Sequence, residues 1–348
     1  MTIRIPSLLA ESLIVLFVGL VACHHDPPPA PSVESTKPKL TEPPRAPESK
    51  DAVAEPASVA VAVPAPETYA KAKGHVFAVG DLHGDLHAAI ATLKLAKVID
   101  ETEKWIGGTS VVVQTGDVLD RGDEERPLLD WLDKIAASAK AGGGALYRIN
   151  GNHEVMNVAG DLRYVSSAGF AQFADAAIGP LPASIEAFPE NARGRLLSFL
   201  PGRPWARKLS HYPVVLLVND TVFVHGGLRP EHVDYGIERM NAEVSAWMRG
   251  EAKLPKSLES DSTPYWVRDY GLDVPPETCA ALDQVLAKLH AARLVVGHTP
   301  QKDGITFACD GKVARIDVGL SAHYGNHAPT VLEIRDGKMR VLTEAHKL

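Results

Sequence analysis

Five apolar, β-branched runs along the chain each stop abruptly at a polar loop: HVFAVGD (75–81), SVVVQTGD (110–117), ALYRINGN (145–152), TVFVHGG (221–227) and RLVVGHT (293–299). Short apolar runs closed by turn residues read as buried strands. The first three alternate with stretches near 85–98 and 124–141, where Leu, Ile and Ala recur at three- and four-residue spacing and predict helices. That is a β-α-β-α-β pattern, which calls for parallel strands covered on both faces. VVLLVNDTVFVHGG predicts a hairpin turning at Asn219-Asp220, and the tail KVARIDVG, APTVLEIRDGKMRVL adds strands, the last two joined by an Asp-Gly turn. An α/β sandwich of two sheets accommodates this set better than one open parallel sheet. Between residues 155 and 211 the periodicity breaks down into short helical pieces. This stretch lies between two polar clusters and is expected to fold over the site as a cap or specificity insertion.

Composition sharpens the picture at the N-terminus. The apolar run Leu13–Ala22 is too short to span a bilayer, which needs roughly 20 residues. It fits the apolar core of a secretory signal peptide, and LVAC (20–23) resembles the bacterial lipobox, in which Cys23 is lipidated and becomes the mature N-terminus. A cleaved signal or an uncleaved anchor are the alternatives. His24 rather than Asp after that cysteine points away from inner-membrane retention, so an exported bacterial lipoprotein, periplasmic or outer-membrane anchored, is expected. Residues 24–72 read as a Pro/Ala-rich tether, because eleven of the 26 prolines fall within 24–70 and such a tract cannot bury a core. The globular domain is expected over 73–348, monomeric, touching a membrane only through the N-terminal lipid. With 45% hydrophobic and 23% charged residues the chain can bury a substantial core. A formal net charge of -7 gives no basic footprint and argues against a nucleic-acid partner. Three cysteines do not make a disulfide scaffold; Cys279 and Cys309 could pair in an oxidising compartment or stay free.

The chemistry lies where the apolar runs stop. Each ends in residues able to hold a metal: Asp81 and His83, Asp117, Asn152 and His153, His225, and His298. One His after a strand means little, but five strand ends of this kind are hard to assemble by chance. Ligands of α/β sheets gather at the carboxyl ends of strands, where the loops converge. Carboxylate, amide oxygen and imidazole without thiolate suit Mn, Fe or Zn. The donors outnumber what one tetrahedral ion needs. Two divalent ions roughly 3.5–4 Å apart would absorb them, and such a pair generates a hydroxide nucleophile near neutral pH. Arg121, four residues after Asp117, is shaped for bidentate phosphate binding. Asp85 reads as the cap of the following helix rather than as a catalytic group.

GDLHGD, GDVLDRGD, GNHE, HGG and GHTP occur in the order and at about the spacing of the phosphoprotein phosphatase family of metallophosphoesterases, over about residues 73–335. GNHEVMN and PYWVRDY resemble the variants of one lineage, the bacterial Shewanella-like protein phosphatases, while the family's SAPNYCG appears only as SAHYG (321–325). The resemblance implies a calcineurin-like β-sandwich flanked by helices. It implies that Asp81 and His83 bind a first metal, that Asp117 bridges, and that Asn152, His225 and His298 complete a second site, with Asn152 also facing the phosphate. His153 corresponds to the general acid and Asp120 to the residue that orients it. Arg121 would hold the phosphate, joined by Arg268 or, second, Arg229; Tyr324 corresponds to the tyrosine lining the substrate groove. The expected substrate is a phosphorylated protein, on tyrosine or on serine and threonine, or a small phosphomonoester. A dinucleoside-polyphosphate hydrolase shares the core and is the alternative, although Asp120 and Glu154 favour the protein phosphatase. A catalytically silent binding module would normally lack a ligand or the acid, and this chain lacks neither.

Overall fold

Strands form where the apolar runs predict them. A computed structural model describes residues 64–177, 179–325 and 327–344. These contain β1 (Tyr69–Ala70), β2 (Val76–Val79), β3 (Val111–Gln114), β4 (Ala145–Arg148), β5 (Val215–Val218), β6 (Thr221–Val224), β7 (Arg293–Val296), β8 (Thr306–Ala308), β9 (Val313–Arg315), β10 (Thr330–Arg335) and β11 (Lys338–Thr343). One sheet has the order β11-β10-β2-β3-β4 and the other β1-β5-β6-β7-β9-β8. The central strands β2, β3 and β4 run parallel, with Val76 opposite Val111 and Val111 opposite Ala145. In the second sheet β6, β7 and β9 are likewise parallel.

All four residues in each of β2, β3, β6 and β7 are buried, as strands covered on both faces must be. Residues of both sheets share one hydrophobic core. Each fully buried Val, Leu or Phe there contributes about 1.5–3 kcal/mol of transfer free energy. The helix Glu125–Ala141 turns Leu128, Leu129, Leu132, Ile135 and Ala139 inward at three- and four-residue spacing. Asp85 caps the helix Leu86–Leu95, its Oδ1 accepting from the Ala88 N–H at 2.8 Å. Its Oδ2 accepts from the Ala322 N–H at 2.8 Å, which also ties down the loop carrying Tyr324.

Folded chain begins before residue 73. Strand β1 lies inside the stretch read as tether and pairs in parallel with β5, Tyr69 opposite Leu217. Cys279 and Cys309 are joined in a disulfide. Cys23 and the lipobox lie outside the described residues. No helix among the described residues is long and apolar enough to cross a membrane.

Candidate active site

The loops after β2, β3, β4, β6 and β7 bring their polar residues together. Backbone approach there is close. A Cβ on Gly151 would stand 2.2 Å from Asp117 Oδ1, so only glycine lets the loop after β4 pass behind that carboxylate. His83, Asp117, Asp120, Arg121 and His298 all have positive φ, between 40° and 70°. Such conformations cost about 1–3 kcal/mol each and persist only where the surroundings fix them.

Asp117 is the hub. Its Oδ2 lies 3.1 Å from His225 Nε2, 3.7 Å from His83 Nε2 and 3.8 Å from His153 Nε2. His225 Nε2 is also 2.9 Å from Asn152 Oδ1 and 3.0 Å from His298 Nδ1. Donor atoms of His83, Asp117 and His153 lie within 4.8 Å of one another, as do those of Asp117, His225 and His298. Asp81 stands beside this hub: its carboxylate accepts the His298 N–H at 3.3 and 3.1 Å and lies 3.9 Å from His225 Nδ1.

The second nitrogen of each of two imidazoles is already engaged. His83 Nδ1 is 2.9 Å from the Leu119 carbonyl and His225 Nδ1 is 2.8 Å from that of Thr115. Each therefore presents Nε2 toward Asp117, the tautomer a metal ligand needs. Burial pushes His83 down to about 4 and His298 down to about 2, so both imidazoles are neutral. Burial alone would raise Asp117; the imidazoles of His225 and His153 outweigh it and hold the carboxylate well below its usual range. Asp81 is raised by burial and by the nearby Asp317 and Asp117, and Asp317 itself is pushed up to about 6, chiefly by burial. Buried oxygen donors crowded with neutral imidazoles and no thiolate fit hard to borderline divalent ions.

His153 is oriented from behind. Its Nδ1 donates to Asp120 Oδ2 at 2.6 Å, leaving Nε2 toward the hub. Burial lowers the pKa of His153, but the carboxylates of Asp117 and Asp120 prevail and lift it above its ordinary value.

Above the hub is a cavity of about 240 Å³, lined by His83, Asp117, Asn152, His153 and His298 below and by Arg121, Arg268, Tyr164, Trp266, Pro300 and Tyr324 around the mouth. The Arg121 guanidinium stacks on the Tyr164 ring at 4.7 Å and lies 5.5 Å from the Tyr324 ring. Its buried Nε has no hydrogen-bond partner. Such an orphan donor beside a cluster able to hold cations suits an anion. Arg268 reaches the same cavity, anchored by Nη1 to the His298 carbonyl and Thr299 Oγ1, both at 3.0 Å. Arg229 is instead paired with Asp269 at 2.6 and 2.9 Å and is not part of the lining. Tyr324 keeps its hydroxyl 3.4 Å from His83 Nε2.

Three features escaped sequence reasoning. Asp317 follows β9 just as the other acids and imidazoles follow their strands, so RIDVG carried the signal. Tyr164 sits in an aperiodic segment where nothing local marks it, and Trp266 lies inside PYWVRDY, where the motif singled out Arg268 but assigned the tryptophan no role. Of the stretch 155–211, Tyr164 lines the cavity, while Arg195 enters the core behind Asp120.

The calcineurin-like phosphoesterase family model matches residues 74–302. Shewanella-like protein phosphatase 2 of Arabidopsis thaliana is 37% identical over 299 residues, covering 76% of this chain and 76% of that protein. Shewanella-like protein phosphatase 1 of Plasmodium berghei (strain Anka) is 32% identical over 286 residues, covering 78% and 75%. Among solved structures, the fold is similar to that of the cold-active protein-tyrosine phosphatase of a psychrophilic Shewanella species, with a TM-score of 0.60, 24% identity, and coverage of 79% of this chain and 82% of that one. The chain thus belongs to the calcineurin-like phosphoesterases and, among them, to the Shewanella-like protein phosphatases.

Proposed function

We propose that this protein is a metal-dependent protein phosphatase that prefers phosphotyrosine. One observation carries the reading: His153, oriented by Asp120, and the Arg121 guanidinium with its orphan Nε line the same cavity as Asp117, together with the rings of Tyr164, Trp266 and Tyr324. Aromatic walls suit an aryl phosphate better than a short alkyl one. The relatives are named protein phosphatases, which supports the phosphatase part of the reading by analogy.

Asp81, His83 and Asp117 would hold one divalent ion, and Asp117, Asn152, His225 and His298 a second, with Mn, Fe or Zn the ions this donor set suits. When bound, the ions supply a water nucleophile active near neutral pH and polarise the phosphoryl oxygens. Arg121 and Arg268 bind and orient the phosphate, the first as a fork whose planar face is already fixed by Tyr164. Asn152 stands beside them at the base of the cavity. His153 holds a proton at Nε2 for the leaving oxygen, and Asp120 stabilises the charged imidazole.

The test is turnover of the full chain with Mn, Fe or Zn on a phosphotyrosine peptide, a phosphoserine peptide and diadenosine tetraphosphate. The phosphotyrosine peptide should give the highest kcat/KM. Hydrolysis of the dinucleotide alone, or of nothing with any metal, would overturn the reading. We also propose export and anchoring through a lipid on Cys23. Cys23→Ser should release the protein from membranes; unchanged membrane association with no lipid found by mass spectrometry contradicts it.

A further inference from the structure

We infer that Arg195, carried by the helix Glu190–Phe199 far from every sequence motif, is a positioning residue for proton donation by His153. The inference rests on the reading of His153 as the acid. Arg195 is fully buried. Its Nη2 donates to Asp120 Oδ1 at 3.2 Å, while the other oxygen of that carboxylate receives His153 Nδ1. Asn157 links the same three groups: its Nδ2 donates to Asp120 Oδ1 and to the His153 carbonyl, both at 2.9 Å, and its Oδ1 accepts Arg195 Nε at 2.8 Å. Glu125 completes the set by pairing with the guanidinium and accepting the Asp120 N–H. Phe173 and Phe199 flank the guanidinium at 5.0 and 4.7 Å.

Stability does not account for this arrangement. A buried ion pair loses as much in desolvation as it gains in attraction, and apolar side chains of similar volume are often as stable. The arrangement does fix a direction. Two donors on Oδ1 stop the Asp120 carboxylate from rotating, so Oδ2 stays on Nδ1 and the ring keeps Nε2 in the cavity. A misplacement of about 1 Å in such a group can cost roughly 100-fold in rate.

Proton donation matters most when the leaving oxygen is a poor leaving group, so a graded series of aryl phosphates reads it directly. In the full chain, Arg195→Met should lower kcat at least about 10-fold on phenyl phosphate, a part of the roughly 100- to 10,000-fold that a general acid supplies. It should change kcat little on esters of strongly acidic phenols, with KM and metal content kept. Arg195→Lys should recover part of the loss. Asn157→Ser leaves both ion pairs in place and should give the same signature more weakly, even if Arg195→Met does not fold. Added to His153→Asn, neither change should slow the enzyme further. If His153→Asn shows the leaving-group dependence but the Arg195 and Asn157 variants slow all esters equally, the inference is wrong and the acid reading stands. Were His153→Asn itself to slow all esters equally, both would fall.

Discussion

Glu154 turns its whole carboxylate to the backbone. Oε2 accepts the N–H groups of Asp117 and Gly151 at 2.8 Å each, and Oε1 those of Val118 and Leu119 at 2.9 and 3.2 Å. These four amides belong to the loops that aim Asp117 and Asn152, so Glu154 holds these candidate metal ligands in place through the backbone. Glu154→Gln puts an NH2 group where an acceptor stood and leaves buried N–H groups without partners, at about 1–3 kcal/mol. The expected result is a lower Tm together with weaker Mn binding in a calorimetric titration. Wild-type metal affinity in a destabilised variant would show that the loops are held by something else.

At the scale of elements, the disulfide joins the first turn of the helix Pro276–Leu289 to the turn between β8 and β9. The bridged residues are 30 apart, and a loop of that size restrains the unfolded chain by about 3–4 kcal/mol. Cys279→Ser should lower the urea midpoint accordingly, and a midpoint unmoved from wild type under oxidising conditions would show that the pair does not form. The pairing was open in the sequence because two cysteines with no partner to exclude carry no geometric information. Longer strands were legible because each four-residue core is closed by a turn residue. β1 and β8, two and three residues long, have no period to read. The Arg195–Asp120 contact spans 75 residues and joins an aperiodic segment to a motif, so only the fold reveals it. The candidate metal ligands could be picked out for the opposite reason, since Asp81 and His83, Asp117, Asn152, His225 and His298 each follow the end of a strand.

The whole molecule is divided across its site. Asp81, His83, Asp117 and Asn152 come from the loops of one sheet, His225 and His298 from those of the other. The ion held by Asp117, Asn152, His225 and His298 would tie the two sheets together, and the pair would offset the repulsion between Asp81, Asp117 and Asp317 and compensate positive φ at His83, Asp117 and His298. Metal affinity and global stability should therefore be linked, because an ion that binds only the folded chain stabilises it by mass action. Dialysis against a chelator should lower Tm, and Mn at about 100 times its Kd should restore roughly 2.7 kcal/mol per site. His225→Ala, on the second sheet, should remove only the share of the ion assigned to Asp117, Asn152, His225 and His298, whereas Asp117→Ala, which deletes a donor to both ions, should remove the whole response. A chelated protein with unchanged Tm, or a His225→Ala variant that Mn still stabilises fully, would mean that the ions do not bridge the sheets.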